Sequence, residues 1–149
     1  MANVMHNNIL GVMLTRMIAG ITYKVSLHDS TYNGDDEDDN MSDPVTLGEL
    51  SGTGYTAGHG GAGRKTVANL TVTVDDPNNQ AELDADDITW SGIDAGTAAT
   101  AILHEEGTTD DTDAAIVGTY DFAIATNGGD VTLQVDAEGL MKQGRAAGS

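Results

Sequence analysis

The chain has 149 residues and a formal charge of −18, from 24 acidic and 6 basic residues, and it contains no Cys. This length predicts one domain with a single core. The lack of Cys excludes a disulfide scaffold, thiol catalysis and Cys-based metal sites. So large a negative charge repels phosphate groups and excludes DNA or RNA as a partner.

The acidity comes mostly from Asp, with 18 Asp against 6 Glu, and residues 66–141 contain no Lys or Arg. In molar salt the Debye length falls to about 3 Å, so self-repulsion weakens while the carboxylates keep the surface hydrated. The composition therefore indicates a protein from a salt-adapted organism, and we expect it to lose structure in low salt. An ordinary soluble acidic protein is the alternative.

The first predicted element is a helix over residues 7–19, which ends at Gly20. Its apolar residues fall on one face at helical spacing: Ile9, Leu10, Met13, Leu14 and Met17. The run is shorter than the ~20 residues of a membrane span, and no basic residue precedes it as in a secretory signal. We therefore expect no membrane association. The apolar face either packs on the chain's own domain or docks on a neighbouring subunit.

Twofold alternation begins after Gly20, where Tyr23, Val25 and Leu27 share one face with Ile21. Further strands are predicted at 69–74, 116–124 and 131–135, with weaker candidates at 87–90 and 98–105. The turn residues at 126–130 predict a β-hairpin between two of these strands. The predicted fold is mainly β: an antiparallel β-sandwich or small barrel with a short N-terminal α-helix.

We interpret residues 1–149 as a single domain with an N-terminal helical arm at 1–20, a β domain at 21–141 and a flexible tail at 142–149. Two loops interrupt the β domain. The loop at 29–44 contains five consecutive acidic residues and is expected to be solvated and mobile. The loop at 47–63 has seven glycines in 17 residues and is expected to be irregular.

The Gly-rich loop contains a phosphate-binding pattern, because residues 58–63 match G-x-G-x-x-G. That pattern binds a dinucleotide only between a buried strand and a helix whose N-terminal amides hold the pyrophosphate. Here the following residues predict a strand. Arg64 also stands where a phosphate-binding P-loop has Lys. We therefore do not expect nucleotide binding.

The acidic loops contain weak candidates for a calcium site or another hard-cation site. Asp29, Thr31, Asn33 and Gly34 match positions 1, 3, 5 and 6 of an EF-hand loop, but Asn40 replaces the bidentate Glu at position 12. A second acidic run lies at 110–113. The candidate ligands are Asp29, Asn33, Asp110, Asp111 and Asp113. Solvated acidic loops without a cation are the alternative, and no cofactor is expected.

The residues give little support for catalysis. The four histidines, at positions 6, 28, 59 and 104, show no metal-ligand spacing. Ser91 precedes a glycine but lies in no nucleophile-elbow motif. We therefore expect no enzymatic activity and assign no catalytic residue.

Four segments follow the N-terminal helix in a recognisable order: 21–27, 49–58, 81–91 and 126–140. Together they resemble a family of small β-rich structural proteins encoded by tailed viruses. The resemblance covers most of residues 5–140 and is most specific at Asp84–Ser91 and Thr126–Leu140. The acidic run at 35–39 and the Gly-rich insertion before Lys65 depart from the family pattern.

The resemblance implies a virion component, and we favour a capsid decoration or cement protein on the outer surface of the capsid. It implies no active-site residue. The implied partners are the major capsid protein and copies of the chain itself, with trimers expected by analogy with capsid symmetry.

We expect the interface to lie in residues 1–20 and 48–66. It would use the apolar helix face and the only adjacent basic pair, Arg64 and Lys65, which alternatively are ordinary solvated charges. Two other functions stay open: a tail, baseplate or fibre-associated virion protein, and a cation- or glycan-binding surface module of a cell.

Overall fold

In a computed structural model that describes residues 5–137 and 139–144, the chain forms one α-helix and nine strands. The elements are α1 (Asn7–Ile18), β1 (Tyr23–His28), β2 (Lys65–Thr66), β3 (Thr71–Asp75), β4 (Gln80–Asp84), β5 (Ile88–Trp90), β6 (Thr97–Glu105), β7 (Ile116–Ala125), β8 (Val131–Leu133) and β9 (Met141–Gly144). The strands form three sheets with the orders β2-β1-β6-β7, β3-β4-β9 and β5-β8. All described pairings are antiparallel. The predicted fold class is therefore confirmed.

The chain divides into two compact units, and the first comprises 1–21, 68–87 and 134–149. In this unit α1 packs on β3 and β4. Leu10 and Leu14 are buried together with Ala81 and Leu83 of β4. Gly11 lies at the closest approach, because a Cβ at this position would stand 2.6 Å from the Val74 Cγ2 atom. The predicted helix is thus confirmed, and it covers its own unit's sheet.

The second unit comprises Thr22–Val67 and Ile88–Leu133. Its central strand is β6, which pairs with β1 from Tyr23↔Glu105 to His28↔Thr100 and with β7 on its other edge. Ala101, Ile102 and Leu103 of this strand are fully or almost fully buried. The segment 98–105, which the sequence predicts only as a weaker strand candidate, therefore forms an inner strand of the largest sheet.

Strand β1 is buried on both faces. Tyr23, Val25 and Leu27 are buried as their alternation predicts, but Ser26 and His28 on the opposite face are also completely buried. The chain after the acidic loop contacts that second face, because the His28 Nδ1 atom lies 2.7 Å from the Leu47 carbonyl oxygen. The polar face of β1 therefore lies in the interior of the second unit.

The hairpin predicted at 126–130 is wrong. Strand β7 pairs with β6 and strand β8 pairs with β5, so this segment connects two sheets. Its turn is held instead by the segment before β6, since Gly128 N–H donates to the Ile93 carbonyl and Thr126 N–H to that of Gly96. Turn residues indicate where a chain reverses, whereas the pairing partner is set by burial elsewhere in the sheet.

The two predicted loops lack helices and strands among their described residues, apart from isolated bridges. The loop at 29–44 is ordered by its own side chains: Asp29 Oδ1 accepts from Thr31 N–H, and Asp43 Oδ2 accepts from Asn40 N–H. Its mobility stays a prediction, as does the single domain. The start of the predicted tail instead forms β9, and residues 145–149 lie outside the described chain. No described helix has the length and apolarity to cross a membrane.

Candidate functional site

A buried ion cluster lies in the second unit, where the Arg64 side chain is enclosed between Glu49 and Asp111. Arg64 Nε and Nη2 donate to Glu49 Oε1 and Oε2 over 3.0 and 2.7 Å. Its Nη1 and Nη2 donate to Asp111 Oδ1 and Oδ2 over 2.5 and 3.0 Å. The side chains of Arg64 and Glu49 are only 4% and 6% exposed. Two bidentate pairs on one cation require the planar guanidinium, which Lys cannot replace.

Glu49 connects this cluster to other residues of the Gly-rich loop, in which it lies. Its Oε2 accepts from Gly58 N–H over 3.0 Å, and Tyr55 Oη donates to its Oε1 over 3.3 Å. Tyr55 Oη in turn accepts from Leu27 N–H of β1 over 2.8 Å. The carboxylate therefore fixes the Gly-rich loop against the sheet.

The glycines of the G-x-G-x-x-G pattern allow the Gly-rich loop to pack closely on itself. A Cβ on Gly63 would stand 2.3 Å from the Tyr55 ring, and one on Gly61 would stand 2.3 Å from the Thr56 carbonyl oxygen. The chain turns tightly here and directs the next residue, Arg64, inward. Strand β2 follows the pattern instead of a helix, so the described structure lacks the helix N-terminus that a dinucleotide site requires.

Two buried histidines flank the cluster. His28 Nδ1 lies 2.7 Å from the Leu47 carbonyl oxygen, and its Nε2 lies 2.7 Å from Ser26 Oγ. Because a carbonyl only accepts, Nδ1 carries the proton and Nε2 accepts from the Ser26 hydroxyl. Burial lowers the pKa of His28 and so favours this neutral form. The Ser26–His28 pair has the spacing of an activated nucleophile, but both side chains are fully buried.

The second histidine, His104, has one nitrogen without a partner. Its Nδ1 lies 2.7 Å from the Glu105 carbonyl oxygen, while its Nε2 is buried and has no hydrogen-bond partner in the described part of the chain. Burial is the main cause that lowers the pKa of His104 to about 4. At neutral pH its Nε2 therefore holds an unused lone pair.

A cavity of about 150 Å³ lies beside His104. Its lining residues are Lys24, His59, Gly60, Gly61, Ala62, Arg64, His104, Glu105, Glu106 and Gly107. At its rim Lys24 Nζ lies 3.1 Å from Glu106 Oε1, and His59 Nε2 donates to the Gly107 carbonyl oxygen over 2.7 Å. This cavity was not predictable from the sequence, because its lining residues come from distant parts of the chain. The one available signal was the Gly-rich stretch at 58–63, of which residues 60–62 line the cavity.

The structure does not bring the candidate metal ligands together. Asp29 Oδ1 accepts from Thr31, and Asn33 Oδ1 accepts from Thr46 N–H. Asp110 caps the 3₁₀ turn at Asp111–Asp113, and Asp111 binds Arg64. No group of three or more His, Asp or Glu side chains within 5–137 and 139–144 is placed to hold a metal ion.

Asp113 shows what these carboxylates do instead. Its oxygens accept hydrogen bonds from Thr108 Oγ1 and from the backbone N–H groups of residues 108–110. The Thr108 hydroxyl is the main cause that lowers the pKa of Asp113 to about 2. Asp113 therefore stabilises the loop that contains it through hydrogen bonds to residues 108–110.

The residues predicted for an interface have three different positions. Leu10 and Leu14 belong to the core of the first unit, and Met17 packs against that core. Arg64 is buried in the ion cluster, so its guanidinium is not available to a partner, and Lys65 is half-buried in β2. Ile9 and Met13 alone of the predicted helix face are exposed.

An exposed apolar surface nevertheless lies on the helix. Three side chains on one side of α1, Ile9, Val12 and Met13, are between 36% and 47% exposed, as is Met5, which lies two residues before the helix. We call these four side chains the helix row. The core-facing residues of α1 lie on a different side. Searches against protein-family models, curated proteins and solved structures find no match to this chain. The family resemblance of the sequence stays a prediction.

Proposed function

We propose that this protein is a non-enzymatic structural protein of a virion, a decoration or cement protein on the outer surface of a tailed-virus capsid. The observation that carries the proposal is the helix row. The other side of α1 already buries Leu10 and Leu14 against β4, so the fold of the first unit does not need the row. An exposed apolar row on a chain of charge −18 suits attachment to another protein.

The high negative charge favours an apolar mode of attachment. In molar salt long-range charge pairing is screened, whereas burial of apolar surface does not depend on it. Copies of the chain repel one another in dilute salt through their net charge. The row therefore suits assembly in a salt-rich medium, with the major capsid protein and further copies of the chain as partners.

The size of the row predicts how the attachment is organised. Complete burial of an Ile, Val or Met side chain contributes about 1.5–3 kcal/mol, and these four side chains are less than half exposed. The row therefore contributes about 3–5 kcal/mol per copy, while association alone costs about 4–15 kcal/mol. A single copy binds weakly. A symmetric oligomer on a repeating shell adds several rows and binds firmly.

The proposal is tested by co-sedimentation with particles of the virus whose genome carries the sequence, after removal of the native protein. The test variant is Met13→Asp in the row. Val45→Asp is the matched control, because Val45 is 91% exposed and lies in the other unit. We expect the wild type and V45D to bind the shell and M13D to lose binding by about tenfold or more, since a charge placed in an apolar contact costs at least about 1.4 kcal/mol.

Stoichiometry separates the two virion locations. Copy numbers comparable to those of the major capsid protein support decoration of the shell. A few copies per particle favour a tail, baseplate or fibre protein, and equal binding of M13D and V45D contradicts attachment through the helix row.

A further inference from the structure

We propose that the groove between the acidic loop at 29–44 and the outer edge of β7 binds an extended segment of another protein that carries Arg or Lys. The segment would add a short strand at residues 117–119 and place its cationic side chains beside the loop carboxylates. This inference is independent of the proposed virion role. It depends on three observations: an open strand edge, an accessible groove along it and lining charges of one sign.

The outer edge of β7 already pairs with one added segment. Asn40 of the acidic loop forms an antiparallel bridge with Ala115, and Ile116 N–H donates to the Asp39 carbonyl. The pairing stops there. Outside the ladder with β6, residues 117–119 make no backbone hydrogen bond to any described residue. Such an edge of N–H and C=O groups is the surface to which extended peptides add as strands.

A β-bulge limits the length of the added strand. Leu103 of β6 pairs with Gly118 and His104 pairs with Ile116, so Val117 is an extra residue without a partner in β6. A bulge bends its strand, and bulges are frequent at sheet edges and beside functional sites. Gly118 has no side chain to obstruct the approach of a second backbone. We therefore expect a segment of only a few residues to pair here.

The groove has room for such a segment and is open to it. Its volume of about 400 Å³ compares with about 30 Å³ for a water molecule in the liquid. Residues 116–119 line it together with Tyr32 and carboxylates of the acidic loop. All of these lining residues are exposed or half-buried, so a ligand can reach them.

The lining charges select a cation. The charged residues that line the groove are Asp35, Asp36 and Asp38, with no Lys or Arg among the described lining residues. Asp35 and Asp38 accept backbone hydrogen bonds within the loop. The exposed Asp36 carboxylate takes part in none of the hydrogen bonds or ion pairs of the described chain. It is therefore available to a guanidinium or ammonium group.

The test is a titration of the ¹⁵N-labelled full chain with a capped five-residue peptide of alternating Thr and Arg. It is carried out in molar NaCl, where only contact pairs persist, and is followed by the backbone amide resonances. We expect saturable shifts at residues 117–119, because strand addition changes the shielding of these amides. The same peptide with neutral citrulline for Arg should bind at least about fivefold more weakly. A backbone N-methylated peptide cannot form the ladder and should not shift these amides.

Two matched variants locate the charge effect. Asp36→Asn should weaken binding of the Arg peptide by about threefold to fivefold, whereas Asp94→Asn should leave it unchanged. Both carboxylates are exposed in the second unit, and Asp94 does not line the groove. The proposal is overturned if residues 117–119 do not respond to the Arg peptide, if the citrulline or N-methylated peptide binds as tightly, or if D36N and D94N bind the peptide equally.

Discussion

Replacement of Arg64 by Met should destabilise the second unit far more than replacement of a surface cation does. The substitution keeps a long side chain but removes four N–H···O bonds to Glu49 and Asp111. Glu49, whose side chain is 6% exposed, would then have only the Gly58 N–H and the Tyr55 hydroxyl as donors. Removal of one partner from a buried ion pair typically costs 3–5 kcal/mol, so we expect a loss of about 4 kcal/mol.

The chain offers a matched control in Lys24→Met. Lys24 pairs with Glu106, whose side chain is 44% exposed, and such surface pairs contribute about 0–1 kcal/mol. The two variants each remove one positive charge from the same unit. The expected difference between them is therefore about 3 kcal/mol, against a total stability of about 5–15 kcal/mol for a domain.

Urea unfolding in molar NaCl, followed by Trp90 fluorescence, measures this difference. Trp90 is the only Trp, it is fully buried, and its Nε1–H donates to the Gly63 carbonyl next to Arg64 over 2.7 Å. A second variant, Arg64→Met with Glu49→Met, removes the uncompensated carboxylate and should recover part of the loss. If R64M is no less stable than K24M, the ion cluster does not hold the Gly-rich loop and the reasoning is refuted.

Three further predictions concern pH, helix packing and salt. Stability should fall as pH drops from about 6.5 to 4, because in this range the unfolded chain binds a proton that native His104, with a pKa of about 4, does not. The 2.5-unit difference in pKa corresponds to roughly 3 kcal/mol of unfolding free energy. His104→Phe should flatten the pH dependence of this free energy, and an unchanged slope would contradict a buried neutral ring. Leu10→Ala should cost about 2–5 kcal/mol in urea unfolding followed by circular dichroism, whereas Ile9→Ala should cost well under half as much, and equal losses would contradict the packing of α1. Circular dichroism and the melting temperature should both decline between multimolar and low salt, and identical curves would show that the acidic composition is not an adaptation to salt.

Local periodicity predicted most of the elements of this fold. The apolar spacing of residues 9–17 gives α1, and the alternation around Val25 and Tyr120 gives β1 and β7. Strand pairing was not predictable in the same way, since it depends on contacts between distant segments. The turn at 126–130 illustrates this: its residues are typical of a hairpin, but β7 finds its partner in β6.

The interior polar residues were still harder to predict. Lys24, Ser26 and His28 alternate with apolar residues, which is typical of a solvent-facing side. The Gly-rich loop covers that side, so His28 and Arg64 are buried in a polar layer instead of exposed. The one local signal of this burial was the high glycine content of the loop, because its glycines allow the close contacts.

The predicted apolar face of α1 is only partly covered by its own unit. The spacing rightly predicted one apolar face, but that face includes more residues than the sheet of the first unit can cover. Leu10 and Leu14 belong to the core, whereas Ile9 and Met13 are exposed. Which side of an amphipathic helix packs inward depends on the partner surface, and the sequence of the helix does not contain that information.

The most direct test of the proposed virion role is a low-resolution image reconstruction of the assembled virus particle, with and without this protein. The proposal predicts extra density on the outer surface of the capsid, repeated with the symmetry of the shell and absent from particles that lack the chain. Density confined to the tail, or particles with no trace of the protein, would contradict it.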